Sequence, residues 1–139
     1  MPRMSTSTKP GTRERAQLRV LVVDDETSVG FFIARILRPW DVTVVADGLS
    51  AAQRIAEGGW DVIVCDLTLP GMDGPTLYER ASPDQRRRFV FMTGGAYTAE
   101  AERFLAACRA PTLYKPFDPA ELRVSIEHVA NEVGRAALG

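Results

Sequence analysis

Five side chains that can take part in chemistry stand where short apolar runs of the sequence end. They are Asp24, Asp25, Asp66, Thr93 and Lys115. Carboxylates that lie close together repel one another unless a cation neutralises them or their pKa values shift. Oxygen ligands select a hard cation such as Mg²⁺, which commonly works together with phosphate. Because a carboxylate can also act as a nucleophile and form an acyl phosphate, these residue types suit phosphoryl transfer onto an aspartate.

The apolar runs before these side chains are typical of strands that are buried on both faces of a parallel sheet. The sequence predicts strands over residues 18–23, 42–46, 61–65, 89–92 and 112–114. Apolar residues recur at helical spacing between the strands and after the last one. Five helices are predicted. The first ends before Pro39, the second ends at Gly58-Gly59, and the third has Pro75 in its first turn. The fourth and fifth cover residues 101–108 and 122–133.

Strands and helices that alternate five times predict an α/β fold with right-handed crossovers. Such a fold is a doubly wound five-stranded parallel sheet with helices on both faces. Functional sites of open parallel sheets lie at the carboxyl ends of the strands. We therefore expect the three aspartates, the threonine and the lysine to converge on one edge of the sheet.

Composition narrows the function classes. The 139 residues suit one domain, and 17 Lys and Arg residues against 18 Asp and Glu residues predict neither direct nucleic-acid binding nor attraction to a membrane surface. Cys65 and Cys108 form no CxxC pair, which argues against a zinc site and a disulfide framework. No apolar run reaches the roughly 18 residues of a membrane span. Without a secretory signal either, we expect a cytoplasmic protein, with a flexible tail or linker over 1–16 and a domain over 17–136.

The ordered set of motifs resembles the response-regulator receiver domain of two-component signalling. The motifs are DD at 24–25, ADG at 46–48, DLTLPGMDG at 66–74, TG at 93–94 and KPF at 115–117. The likeness covers roughly residues 18–134. It implies a flavodoxin-like (βα)5 fold with the strand order 2-1-3-4-5 and a phosphoacceptor function rather than enzymatic turnover, apart from self-phosphorylation and autodephosphorylation.

The resemblance implies a metal site built from four residues. Asp66 is the phosphoacceptor, and Asp25, Asp66 and the backbone carbonyl of Thr68 bind Mg²⁺ directly. Asp24 acts on the metal through water.

The same resemblance implies the groups that hold the phosphoryl group. Lys115 pairs with it, and Thr93 supplies the switch hydroxyl that moves toward it. The backbone N–H groups of Thr68 and Gly94 donate to its oxygens. The implied phosphodonor is a phosphohistidine of a histidine kinase or a histidine phosphotransfer protein.

Phosphorylation is expected to shift the face formed by the fourth predicted helix, the fifth strand and the fifth predicted helix, which is also where a homodimer would form. Gly94-Gly95 predicts a loosely held start of the fourth helix. The segments FMTGG and YKPFDPAEL, at 91–95 and 114–122, are similar to receivers of hybrid sensor kinases. The chain is thus expected to be a stand-alone receiver or one taken from such a kinase.

One position departs from the family pattern. Many receivers carry an aromatic switch residue three positions before the lysine, where this sequence has Thr112. Tyr114 falls on the same side of the strand as Thr112 by period-two alternation. We expect the aromatic switch to be absent or altered.

Other functions of the same fold are less well supported. A Mg²⁺-dependent aspartyl-phosphate phosphohydrolase usually has a second aspartate two residues after the nucleophile, where this sequence has Thr68. A flavin-binding module would need a phosphate-binding loop after the first strand, where the acids Asp24, Asp25 and Glu26 would repel phosphate. A phosphorylation-independent pseudo-receiver does not fit the complete acidic set.

Two further features predict ordinary surface roles. Residues 86–88 are three consecutive arginines, which we expect in a solvated loop before the fourth strand. His128 falls off the apolar stripe of the last helix, so we expect it on the polar face.

Overall fold

The structure, a computed structural model, describes residues 17–94 and 98–138. Its strands are β1 (Arg19–Val23), β2 (Asp41–Val45), β3 (Val62–Asp66), β4 (Phe89–Thr93) and β5 (Thr112–Tyr114). Its helices are α1 (Thr27–Ile36), α2 (Gly48–Glu57), α3 (Gly74–Arg80), α4 (Pro83–Arg86), α5 (Ala99–Cys108) and α6 (Pro119–Leu138). Within the described part of the chain, no helix combines the length and the apolar composition that crossing a membrane requires.

The five strands form one parallel sheet in the order β2-β1-β3-β4-β5, so the predicted topology is confirmed. Every residue of β3 and β4 is buried, as the continuous apolar runs predict. The register aligns Val23 with Cys65, and Asp66 with Met92. The carboxyl ends of β1, β3 and β4 therefore meet at one edge.

Two layers of helices cover the sheet, and their cores differ in chemistry. Aliphatic side chains dominate the layer under α1 and α6, where the predicted stripe of the last helix is buried. The other layer, under α2, α3 and α5, holds an aromatic cluster of Tyr78, Phe89, Phe91 and Phe104. Ring centroids in this cluster lie 5.3 to 5.8 Å apart, mostly edge to face or tilted, which is the favoured geometry.

The short helix α4 was not predicted. Ser82 accepts a hydrogen bond from the Gln85 N–H, and the Gln85 side chain accepts one from the Ser82 N–H, with Pro83 at the first helical position. This capping box is a sequence signal that would have located the helix. The predicted fourth and fifth helices are therefore α5 and α6.

The expectation of a solvated loop over 86–88 is wrong for two of the three arginines. Arg86 donates from Nε to the carbonyl of Tyr78 at 3.1 Å. Arg88 donates from Nη1 to the carbonyl of Trp60 at 3.1 Å. Only Arg87 is exposed, as predicted.

Close contacts between loops fix the carboxyl edge of the sheet. Asp47 caps α2 by accepting from the Ser50 N–H at 2.7 Å, and Gly48 donates to the Pro70 carbonyl at 3.1 Å. A side chain on Gly48 would overlap the backbone of Met72. The loop after β2 thus braces the loop after β3, where the acid Asp66 ends the strand.

Two predictions fall outside the described residues. The tail or linker over 1–16 lies there, and so do residues 95–97 of the loop before α5. Helix α5 itself begins at Ala99, with Thr98 accepting a hydrogen bond from the Ala101 N–H at 3.0 Å.

Candidate functional site

Three carboxylates meet at the carboxyl edge of the sheet. One ligand atom from each of Asp24, Asp25 and Asp66 lies within 4.8 Å of the other two. The Asp24 side chain is fully buried, Asp66 is 7% exposed, and Asp25 is exposed. Bringing these acids together against their mutual repulsion requires positive charge nearby.

Lys115 supplies part of that charge. Its Nζ donates to Asp24 Oδ2 and to Asp66 Oδ2, each at 2.8 Å, and lies 4.0 Å from Glu26 Oε1. Burial alone would lower the pKa of Lys115, but the hydrogen bonds and charges of Asp24 and Asp66 outweigh it and raise the pKa. The ammonium is therefore fixed in its charged form between two of the acids.

Backbone donors hold the other oxygens of these two acids. The Glu26 N–H donates to Asp24 Oδ1 at 2.9 Å, and the Thr68 N–H donates to Asp66 Oδ1 at 3.1 Å. Each carboxylate is thus fixed at both oxygens, by a main-chain N–H and by Lys115. One lysine against three carboxylates leaves the cluster with excess negative charge.

The donor set of the cluster fits a hard divalent cation. All three groups that converge are carboxylates, and such oxygen ligands suit Mg²⁺ rather than softer metals. The neighbouring thiol of Cys65 is buried and contacts the Asp66 carbonyl oxygen at 3.3 Å, so it does not join the carboxylates. Burial, with the negative charges of Asp66, Asp24 and Asp73, raises the pKa of Cys65 well above its usual value.

The end of β4 positions Lys115. The Lys115 N–H donates to the Thr93 carbonyl at 2.8 Å, which extends the β4–β5 pairing by one residue. A Cβ atom on Gly94 would lie 3.0 Å from both Cβ and Cδ of Lys115, so the lysine stem runs directly along this glycine. Thr93 is buried at the end of β4, and Gly94 rather than Thr93 lines the pocket above the acids.

A pocket of about 740 Å³ opens over the cluster and joins it to an apolar wall. Asp25, Glu26, Asp66 and Lys115 line its charged side. The apolar wall comes from α1 and from the loop after β5, through Val29, Phe32, Pro116 and Phe117.

Phe32 is an exception to the buried apolar face that the helical spacing of apolar residues predicts for α1. Its side chain is 53% exposed, and so the phenyl ring faces the pocket. Residues 31–33 are all apolar, and a helix that packs on one side cannot bury three consecutive side chains. Only Ile33 of the three is buried.

At position 112, where many receivers carry the aromatic switch residue, this chain has a threonine whose side chain makes a polar contact. Thr112 donates from Oγ1 to the Ala110 carbonyl at 3.2 Å, whereas Tyr114 is 57% exposed. Leu113 between them points into the core. The altered aromatic switch remains a prediction.

Comparisons with known proteins agree with this geometry. A family model described as response regulator receiver domain matches residues 20–127. The DNA-binding response regulator MtrA of Mycobacterium tuberculosis is 32% identical over 106 residues, which are 75% of this chain and 46% of MtrA. The chain thus spans less than half the length of that relative.

Two solved structures have the same architecture. A CheY-like receiver domain protein from Methanospirillum hungatei superposes with a TM-score of 0.77 at 25% identity, over 86% of this chain and 98% of that one. The receiver domain of sensor histidine kinase PA1611 from Pseudomonas aeruginosa superposes with a TM-score of 0.73 at 30% identity, over 84% and 99%. The latter structure has a magnesium ion coordinated in its active-site cleft.

Proposed function

The chain belongs to the response regulator receiver domain family, and from this premise we propose that Asp66 accepts a phosphoryl group from a phosphohistidine of a histidine kinase or histidine phosphotransfer protein. The observation that carries the proposal is the convergence of three carboxylates within 4.8 Å, with Lys115 Nζ 2.8 Å from Asp66.

Accessibility and fixation together favour Asp66 as the phosphoacceptor. Asp24 is fully buried and does not line the pocket, so a phosphodonor has no path to it. Asp25 is exposed. Asp66 lines the pocket and is held at both oxygens, which fixes the carboxylate for in-line attack.

The carboxylates of Asp25 and Asp66, with the Thr68 carbonyl, would hold Mg²⁺ directly, and Asp24 would act on it through water. When bound, the cation supplies positive charge that offsets the repulsion among the acids and stabilises the phosphoryl oxygens. The magnesium ion in the PA1611 receiver supports this choice of metal.

The transfer step uses groups of this chain. An Asp66 carboxylate oxygen forms a bond to phosphorus while the bond from phosphorus to the histidine nitrogen breaks, and that nitrogen keeps the electron pair. Lys115 stays charged and stabilises the transferred oxygens by charge-assisted hydrogen bonds. The N–H groups of Thr68 and Gly94 and the Thr93 hydroxyl are the remaining donors in our assignment.

Phosphorylation replaces the single negative charge of the Asp66 carboxylate by a phosphoryl group that carries about −1.5 to −2 units of charge. Thr93 ends β4 and Lys115 follows β5, so drawing both toward the phosphoryl group would shift the face formed by α5, β5 and α6. A full reversal of a two-state equilibrium from 1:99 to 99:1 requires about 5.5 kcal/mol of differential interaction. We propose that this face meets the output partner or a second copy of the chain.

We further propose a cytoplasmic signalling module over residues 17–136, with no direct contact to nucleic acid and no membrane insertion. It would be a stand-alone receiver or part of a hybrid sensor kinase. Its only chemistry would be self-phosphorylation and autodephosphorylation. We do not favour the phosphohydrolase alternative, because position 68 has an exposed threonine and no acid.

The test is the intact mass of the protein after incubation with Mg²⁺ and acetyl phosphate. We expect a single phosphoryl adduct on the wild type, and none on Asp66→Asn or with EDTA present. Asp84→Asn is the matched control, because it removes a carboxylate on α4 outside the pocket and should keep the adduct. An adduct that persists in Asp66→Asn would overturn the assignment. Failure to form either an adduct or a Mg²⁺-dependent beryllofluoride complex would favour the pseudo-receiver.

A further inference from the structure

A second pocket lies at the other end of the sheet, where β4 and β5 begin. Its volume of about 400 Å³ is in the range of small-molecule sites. Ala110 and Pro111, which are half-buried, form an apolar part of its lining, and the buried Phe89 and Val133 lie beneath them. Arg86 and Arg109 line it as well. The proposed phosphoacceptor function uses none of these residues.

Arg86 carries a charge that no carboxylate neutralises within the described part of the chain. Its Nε donates to the Tyr78 carbonyl at 3.1 Å, and its Nη2 donates to the Glu79 carbonyl at 2.6 Å. Both acceptors are neutral, so they fix the guanidinium in place without cancelling its charge. The adjacent Arg87 differs, because it forms an ion pair with Asp84 at 2.8 Å.

Arg109 has an unusual backbone conformation. It follows α5 in the left-handed region, with φ of 62° and ψ of 14°, and is the one non-glycine residue with positive φ in the part of the chain that the structure describes. Helix ends of this kind normally favour glycine. An arginine held there places a cationic side chain at the pocket, and strained backbone of this kind often marks ligand sites. Among residues 17–94 and 98–138, no carboxylate forms an ion pair with it.

We propose that this pocket binds a small organic anion. Its apolar body would pack on Ala110, Pro111 and Val133, and its carboxylate or phosphate group would pair with Arg86 and Arg109. The pocket combines what such a ligand needs, since apolar surface provides area and rigid guanidinium groups recognise planar or tetrahedral oxyanions. Glu132 also lines the pocket but has an interaction of its own.

The direct test uses the full chain without Mg²⁺ and follows backbone amide shifts by NMR. The probes are benzoate, phenyl phosphate and the uncharged benzyl alcohol. We expect saturable shifts at Ala110 and Val129 with a probe anion, with a dissociation constant of about 1 mM for so small a ligand. The benzoate and phenyl phosphate titrations distinguish a carboxylate ligand from a phosphate ligand. Absence of saturation with both anions, or equal binding of benzyl alcohol, overturns the proposal.

Variants of Arg109 test the charge without endangering the fold. Arg109→Gly removes the guanidinium and installs the residue that the left-handed conformation favours, and should weaken anion binding about tenfold. Arg109→Lys should restore most of the affinity. Arg103→Gln removes an exposed arginine of α5 outside the pocket and should leave binding unchanged. If Arg103→Gln weakens binding as much as Arg109→Gly, general electrostatic attraction explains the result and the site is rejected.

This inference and the proposed function can fail separately. The two pockets share no lining residue. Asp66→Asn should therefore lose the phosphoryl adduct and keep the anion-induced shifts, whereas Arg109→Gly should do the opposite.

Discussion

The two ends of the parallel sheet hold their charged groups in opposite ways. At the carboxyl end, three carboxylates share a single lysine, and one of them is fully buried. At the amino end, the charged groups are mainly arginines that donate to backbone carbonyls, as Arg88 does to Trp60 and Arg19 does to Gly59. Negative charge accumulates at the first end, and positive charge is distributed over the second.

The two ends of the sheet differ in how far their charges are compensated by neighbouring groups, and this difference predicts how strongly each end responds to a charged ligand. At the amino end, Arg88 also pairs with Asp84 and Arg19 with Asp41, and Arg86 donates to two backbone carbonyls. The acids have too little positive charge nearby, so a cation or a covalent modification changes their energy strongly. The carboxyl end is therefore expected to respond strongly to a cation or to phosphorylation, and the amino end to respond only weakly to an anion.

The largest expected contrast is between the two thiols. Cys65 lies beside Asp66 at the carboxyl end, and Cys108 ends α5 at the amino end. Burial raises the pKa of both thiols, more strongly for the fully buried Cys65, where the charges of Asp66, Asp24 and Asp73 add to the effect. Alkylation by iodoacetamide, followed by peptide mass spectrometry, should modify Cys108 about a thousandfold faster, because Cys65 must wait for opening of the sheet. Comparable rates for the two thiols would mean that β3 opens locally.

The next contrast concerns the glycines that flank α2. Gly48, at the carboxyl end, has no room for a Cβ atom against the Met72 backbone, whereas Gly58, at the amino end, has open space and a φ of 78°. We expect Gly48→Ala to lower the free energy of unfolding by about 3 kcal/mol or more, and Gly58→Ala by about 1 kcal/mol. Urea denaturation of both variants measures this. Equal losses of stability would show that the loop around Met72 moves to accommodate the new side chain at position 48.

These glycines also show what the sequence can and cannot predict. The end of α2 at Gly58 follows from a local rule and was predicted, since glycine is the usual residue after a helix. The need for glycine at 48 depends on Met72, far along the chain, and no periodicity reveals it. The strands were predicted to within one or two residues because each is a continuous apolar run bounded by turn residues.

The same division holds for the sites. The sequence predicts that Asp24, Asp66 and Lys115 lie close together, because the carboxyl ends of parallel strands share an edge of the sheet. The exposure of Phe32 and the pocket near Arg109 could not, because both depend on how helices pack against side chains from other elements. Helix α4 could have been predicted from the capping box at Ser82, which is a local signal.

A third contrast is between removing Lys115 alone and removing it together with the charge of its partner Asp24. Replacing Lys115 by Met leaves the buried Asp24 without a cation, and we expect unfolding free energy to fall by about 2 to 3 kcal/mol. Adding Asp24→Asn to Lys115→Met should recover part of this loss, since the double variant no longer buries an unpaired charge. Thermal and urea unfolding of the two single variants and the double variant measure the coupling. Strictly additive losses would mean that Lys115 stabilises through its hydrocarbon stem alone.

The smallest effect is expected for an ion pair at the amino end. Burial alone would raise the pKa of Asp84, but Arg88 and Arg87, which bind it at 3.1 and 2.8 Å, lower it. A carboxyl with a lowered pKa in the folded protein adds stability above its unfolded pKa of about 3.9 and loses it as pH falls through the folded value.

Because this pair is largely exposed, Asp84→Asn should cost less than about 1 kcal/mol at neutral pH. The cost should shrink toward zero in acid, where the wild-type carboxyl is protonated as well. Ser82→Ala is the matched control on the same helix: it removes the N-cap without removing a titratable group, so its cost of about 1 kcal/mol should be similar at both pH values. Urea unfolding of the two variants at neutral and acidic pH measures the difference. A cost of Asp84→Asn that does not change with pH would show that the carboxylate acts on α4 as a hydrogen-bond acceptor rather than as a charge.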